Sequence, residues 1–364
     1  TEDTLTDKKL ISSLQGLRAV AFLCIVLSHC GLPWLSPWAI TVFVALSGFL
    51  MTCNHYDRPP TAPGVRSAMA FSLQKIRKLY PLHLLMMAAA LLFVLKGLLA
   101  QPSVRGALSC AAQLVVSIFL LQTWIPFSRF WFCLNGVAWY LSVQAFLYAI
   151  FPPLLTVLKK ADARRLRCMA AAIFCAQCLA SFVFWKAGFN ETTVFYLTYL
   201  CPLFRAGNFT ISCCMGCLYH SRKQVSTLPR GVFSLLELAA VLLAGGCLFI
   251  AARQVGVLGA AAFRYNVLFI PSAVLLVWLL AVGKGFISRL LSAKPFLWLA
   301  GLSPYGFLIH QVLIRYMEWF ADKFNLTVHP VVWTLTVLLL TLCLSSFYKS
   351  LECRVRQRHA KAAT

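Results

Sequence analysis

Residues 14–31, LQGLRAVAFLCIVLSHCG, form an apolar run interrupted by Gln15, Arg18, Ser28 and His29. The run is long enough to insert in a bilayer as a helix, which takes about 17–25 residues. A guanidinium and an imidazole are costly in lipid, so such groups face a bundle interior or a wet cavity and mark a functional site. At about 1.5 Å per residue the two stand roughly 16 Å apart along one helix. Arg18 is then expected near one membrane face and His29 about half a bilayer deeper. One residue could hold an anionic carrier at the surface while the other does chemistry at depth.

The rest of the chain has the same character. Of its 364 residues 60% are hydrophobic, and the mean hydropathy is +0.79, whereas roughly half of a soluble domain is apolar. No polar stretch is long enough to fold alone. Residues 1–364 therefore read as one all-α, polytopic membrane domain, with a core at 14–348 and short tails at 1–13 and 349–364. Near-spanning apolar segments fall at about 14–31, 37–54, 80–99, 107–123, 137–158, 167–187, 199–219, 232–252, 264–282, 296–320 and 329–348. The polar start, residues 1–9, lacks the basic region and small-residue cleavage site of a signal peptide, so residues 14–31 are expected to remain as a membrane helix. No period of 20–50 residues points to a solenoid.

The formal net charge is +23, from 33 Lys and Arg against 10 Asp and Glu. The charges stand in short runs between apolar segments, the pattern in which Lys and Arg mark cytoplasmic loops. Topology accounts for most of them, and no nucleic-acid partner is expected. The runs hold Lys159, Lys160, Arg164, Arg165 and Arg167; then Arg222, Lys223 and Arg230; then Lys284, Arg289 and Lys294; and finally Lys349, Arg354, Arg356, Arg358 and Lys361. Residues 58–78, with Arg66, Lys75, Arg77 and Lys78, and the early Lys8 and Lys9 belong to the same side. Both termini are then cytoplasmic and the crossings are even in number. About ten transmembrane helices follow, with one of the three segments between Lys78 and Lys159 failing to cross. Within that region residues 122–136 read as interfacial or re-entrant, because irregular backbone at depth needs a protein cover. Residues 71–80 mix Phe71, Ile76 and Leu79 with Lys75, Arg77 and Lys78. They read as a helix lying in the cytoplasmic interface, its charges serving lipid headgroups or a phosphate clamp.

Fifteen cysteines invite a metal or disulfide reading. Many lie inside apolar runs, where free Cys acts as a small hydrophobe. The densest group, Cys213, Cys214 and Cys217 before His220, has no second ligand pair at zinc spacing after it, so no metal is expected.

Several stretches in order resemble the integral-membrane acyltransferase 3 family. They are LQGLRAV at 14–20 with Arg18 and His29 in an Arg-x10-His pattern, VFVALSGFL at 42–50, KIRKLYP at 75–81 and WYLSV at 139–143 running to Phe151 and Pro152. PLFR at 202–205 and LSPYGFLIH at 302–310 complete the set. The likeness covers roughly residues 14–348. It implies an enzyme that moves an acyl group, most commonly acetyl, from cytoplasmic acetyl-CoA to a hydroxyl of a cell-surface or lipid-linked glycan, working within the cell membrane and its lipid. There are departures. Lys75 and Lys78 stand where the family has two arginines, Gln144 and Ala145 where many members have paired glutamates, and Asn208 where a glutamate is usual. Lysine keeps charge but loses the bidentate fork, and the missing carboxylates move catalytic weight onto His29.

Transfer from a thioester to a hydroxyl needs a base, an oxyanion stabiliser and an anchor for the carrier. His29 is the candidate base, because imidazole titrates near neutral pH. Arg18 either binds the carrier or orients His29. Lys75, Arg77 and Lys78 are candidates for the CoA phosphates. His310, Trp139, Ser142 and Arg205 are candidate acceptor-site residues, with Asn135 and Tyr140 as further pocket-lining groups. Two other classes compete. A transporter of an anionic or glycan-type solute would also suit a wet helical bundle, but transporters often show paired inverted repeats, and none is visible. A receptor or scaffold would tolerate loss of His29, which an enzyme would not.

Overall fold

The computed structural model describes residues 11–60, 64–221 and 228–362, with side chains as far as residue 358. Lys8, Lys9, Arg222 and Lys223 of the basic runs lie outside the described residues, as does the side chain of Lys361. The described residues contain helices and no strand. In order these are α1 Ser12–His29, α2 Leu35–His55, α3 Val65–Ile76, α4 Tyr80–Ala100, α5 Val104–Ile118, α6 Ser128–Trp131, α7 Trp139–Leu158 and α8 Ala163–Lys186. They continue with α9 Glu191–Phe195, α10 Pro202–His220, α11 Arg230–Arg253, α12 Ala261–Arg264, α13 Ile270–Val282, α14 Phe286–Leu291, α15 Lys294–Lys323 and α16 Pro330–Ala362.

Every apolar segment read from the sequence is helical over most of its length, and 8 helices among the described residues are long and apolar enough to cross a membrane. Between Lys78 and Lys159, α5 is the short segment. Its 15 residues cover only about 22 Å. It doubles back along α4, so that Tyr80 Oη donates to Ile118 O (2.9 Å) and His83 Nε2 to Ser117 O (3.0 Å). Residues 119–138 then run irregularly through the protein. Gln122, Thr123, Leu134 and Asn135 are buried, and Arg315 donates to Leu134 O (2.8 Å). This protein cover is what irregular backbone at membrane depth requires.

The bundle centres on α2, which packs along α1 and α10. Gly48 makes the second contact possible, since a Cβ there would sit 2.6 Å from Phe209 O; small residues let membrane helices approach closely. The outer helices carry exposed Leu85, Leu92, Leu99, Phe182, Leu235, Leu242 and Leu339, an apolar jacket suited to lipid. A buried carboxylate, Glu237 of α11, closes one junction. It accepts from the backbone N–H groups of Gly285 (3.2 Å), Ile287 (2.8 Å) and Ser288 (3.1 Å) and from the Ser288 hydroxyl. These are the orphan donors at the start of α14, which favour an anion.

One expectation changes. The helix expected in the interface at 71–80 is α3, which begins earlier and runs antiparallel along α7. Ser72 Oγ donates to Ala145 O (2.6 Å), Phe71 stacks on Phe151 (5.8 Å), and Ile76 packs with Leu141. An amphipathic pattern records an apolar face and not whether lipid or another helix covers it. From residue 349 the chain continues as the end of α16, which carries Lys349, Arg354 and Arg356 beyond its apolar part.

Candidate active site

The last turns of α3 and the start of α4 bring the basic side chains into place. Lys75, Ile76 and Leu79 face inward. There they line a cavity of about 180 Å³ with Arg18 of α1, Phe43 and Ser47 of α2, Tyr140, Gln144 and Tyr148 of α7, and Ser303, Phe307 and Leu308 of α15. Arg77, Lys78 and Pro81 face the other way. They line an open groove of about 820 Å³ with Gln74 and with Tyr348, Glu352 and Arg356 of α16. A run of seven residues, 75–81, thus serves two sites back to back.

Arg18 is half-buried and donates to Gln15 Oε1 (3.3 Å) one turn below it. Gln144 Nε2 donates to Ser47 Oγ (3.2 Å) and to the Tyr140 hydroxyl. Lys75 Nζ is 3.0 Å from His55 Nε2 and 4.8 Å from the centroid of the Phe71 ring. Lys78 lies over the Tyr305 ring at 5.4 Å, and Tyr305 Oη donates to Glu352 (2.5 Å), which also pairs with Arg356 (2.5 Å). The groove therefore carries three cations against one carboxylate.

His29 is outside this cavity. It is the last residue of α1, with Cys30 capping the helix, and it is exposed. Its ring lies 5.1 Å, centroid to centroid, from that of His310, tilted by 56°. His310 is fully buried on α15. The two histidines come from helices that run side by side, with Phe22 against Gly306 one level below. Phe307 connects the two regions: it lines the cavity and its ring is 6.1 Å from that of His310.

Other candidates stand elsewhere. Arg205 is fully buried and donates to Tyr199 O (2.8 Å), Asn266 Oδ1 (2.9 Å), Thr41 Oγ1 (3.3 Å) and Tyr265 O (3.5 Å). Ser142 donates to Leu120 O (2.5 Å) and accepts from Thr123 (2.8 Å). Trp139 packs on Tyr199 at 4.9 Å, and Asn135 donates to Leu308 O (2.9 Å). None of these four lines the cavity. Of the cysteine cluster, Cys213, Cys214 and Cys217 are buried in α10, while His220 pairs with Asp57 (3.1 Å). Of the polar residues on α7 that line the cavity, the sequence reading noted Gln144 only as a departure from the family and did not single out Tyr148. With Tyr140 they recur every four positions, which puts them on one face of a helix, and that spacing was the available signal.

The family model described as an acyltransferase domain, Acyl_transf_3, matches residues 11–348. The chain belongs to this family. The acyltransferase match takes in the cavity, the start of the basic groove and both histidines. The chain is 29% identical over 191 residues to acyltransferase MdmB of Streptomyces mycarofaciens, which covers 48% of this chain and 46% of that protein. Identity is 23% over 362 residues to YrhL of Bacillus subtilis strain 168, covering 92% of this chain and 52% of that one. Against peptidoglycan O-acetyltransferase OatA of Listeria monocytogenes it is 20% over 334 residues, covering 85% and 50%. The chain spans about half the length of the curated relatives it matches. No solved structure matches it.

Proposed function

We propose that this multi-pass protein is an O-acyltransferase of the cell membrane, which moves an acetyl group from cytoplasmic acetyl-CoA to a hydroxyl of a cell-surface or lipid-linked glycan. The observation that carries the reading is the back-to-back arrangement at residues 75–81, a basic groove outside and a partly apolar cavity inside. Coenzyme A has the matching form: a phosphate-rich nucleotide joined to a slender, mostly apolar arm that ends in the thioester. Arg77 and Lys78 hold the phosphates as charges. Ile76, Leu79, Leu141 and Leu308 take the arm, and Arg18 is the cation that meets the donor's carbonyl oxygens inside. His29 removes the proton of the acceptor hydroxyl. A glycan acceptor is supported by the likeness to OatA, whose name assigns it peptidoglycan.

The test is release of free CoA thiol by the purified full chain in lipid nanodiscs, given acetyl-CoA and a glycan extract from bacterial envelopes. We expect release that needs the extract and that falls at least about 100-fold in His29→Ala, the scale of losing a general base. A folded wild type that neither binds nor consumes acetyl-CoA would overturn the reading.

A further inference from the structure

The geometry points to His310 as the positioning residue for His29, the group that fixes which ring nitrogen of His29 is free to act as base. This rests on the O-acyltransferase reading and deepens it.

His310 is fully buried, at 0% exposure. Its Nδ1 lies 3.0 Å from the carbonyl oxygen of Gly306, one turn back on its own helix. A carbonyl only accepts, so Nδ1 carries the hydrogen, and the neutral ring presents Nε2 as a bare acceptor. That Nε2 has no hydrogen-bond partner among the described residues. A buried polar atom without a partner costs about 1–3 kcal/mol, and such an atom calls for an explanation. Nδ1 is tied back to α15, so the opposite side of the ring, with Nε2, is turned away from that backbone. The ring of His29 lies 5.1 Å from it, centroid to centroid.

The chemistry follows from the tautomers. In the acting arrangement the His29 ring turns so that one N–H donates to His310 Nε2, a movement that the 5.1 Å between ring centroids keeps short. The other nitrogen of His29 then has its lone pair free and turned toward the exposed side, where an acceptor hydroxyl can approach. The hydroxyl proton passes to that nitrogen as the oxygen bonds to the thioester carbonyl carbon. When the tetrahedral adduct collapses, the C–S bond breaks, the sulfur leaves with the bonding pair, and His29 returns the proton to it. His310 gains and loses no proton. It holds one tautomer of its neighbour in place, as the orienting member of a hydrolase triad does for its histidine.

The experiment compares His310→Met with His310→Gln in the full chain in nanodiscs. The two side chains match in length, but Gln offers a carbonyl oxygen to the N–H of His29 where Met offers only the weakly accepting thioether sulfur. We expect Met to lower kcat about 100-fold, with KM for acetyl-CoA within about twofold of wild type. Gln should recover at least about tenfold of that loss, because an acceptor is restored. Adding His310→Met to His29→Ala should cost nothing further, as for residues that act as one unit. If the Met variant does not fold, His310→Asn replaces it, since its amide falls one methylene short. Equal losses in the compared pair would overturn the inference. So would a rise in KM with kcat unchanged, or an additive loss in the double variant. An inactive wild type would instead overturn the acyltransferase reading itself.

Discussion

Arg18 and Arg205 are both arginines inside a helical bundle, and a rule that reads intramembrane charge as function gives them equal standing. Their surroundings separate them. Arg18 is half-buried, has one side-chain acceptor at 3.3 Å and faces a cavity. Arg205 has acceptors on four residues and lies with its guanidinium 4.9 Å from the centroid of the Tyr199 ring. Its planar fork is used up in joining α10 to Thr41 and to residues 265–266. Arg205→Lys should therefore act on stability. A point ammonium cannot reach acceptors spread around a plane, and each orphaned buried acceptor costs about 1–3 kcal/mol. We expect the melting temperature to fall by a few degrees, while kcat and KM per folded molecule stay at wild type. A changed acceptor KM at unchanged stability would return Arg205 to the site. The sequence showed the charge at position 205 but not its partners, which stand 60 to 164 positions away except for Tyr199. Arg18 and His29 stood out in the sequence because they are ionisable groups within one apolar run.

At the scale of elements, helix existence was legible almost throughout, because 3.6-residue periodicity and apolar length are properties of the segment itself. What a segment packs against was not. The pattern of α3 allowed it to lie on a membrane surface, whereas it stands along α7, and that placement brings Lys75 into the cavity and leaves Lys78 in the groove. Residues 122–136 read as interfacial or re-entrant in the sequence, but the partners of this stretch on α15 are distant in sequence. The elements around the cavity also set a barrier. Phe43, Tyr140 and Phe307 pack ring to ring, with centroids 5.5–6.2 Å apart, and all three line the cavity. Phe307 then abuts His310, so its ring stands between the Arg18 cavity and His310, where the thioester end of the donor would have to pass to reach His29. Excluding water protects a reactive acyl group from hydrolysis. Phe307→Ala should raise thiol release from acetyl-CoA in the absence of any acceptor by several-fold, while Phe307→Tyr stays at the wild-type level. A folded Phe307→Ala variant with unchanged basal hydrolysis would show that this barrier does not keep water from the thioester.

At the scale of the whole molecule, the groove and His29 lie at opposite ends of the path. α1 carries Arg18 in the inner cavity and ends at His29, about 16 Å farther on. The basic side chains that follow α7, precede α15 and end α16 gather at the other end, where Lys159 Nζ donates to Tyr56 O (2.7 Å) and Arg356 joins the groove. Lys and Arg in short loops orient a membrane protein with that end in the cytoplasm. Donor and acceptor would then meet the protein from different compartments, and the protein would carry the acyl group across without moving the coenzyme. Orientation is directly measurable with two thiols. Cys353 of α16 is exposed near the groove, and Leu32, three residues past His29, is 37% exposed. In a chain carrying Leu32→Cys, with Cys168, Cys175 and Cys343 changed to alanine, a membrane-impermeant maleimide applied to intact cells should label position 32 and spare Cys353. Inverted vesicles should give the reverse. Labelling of both positions from one side would place donor groove and base in the same compartment, and a transfer across the membrane would no longer follow from the fold.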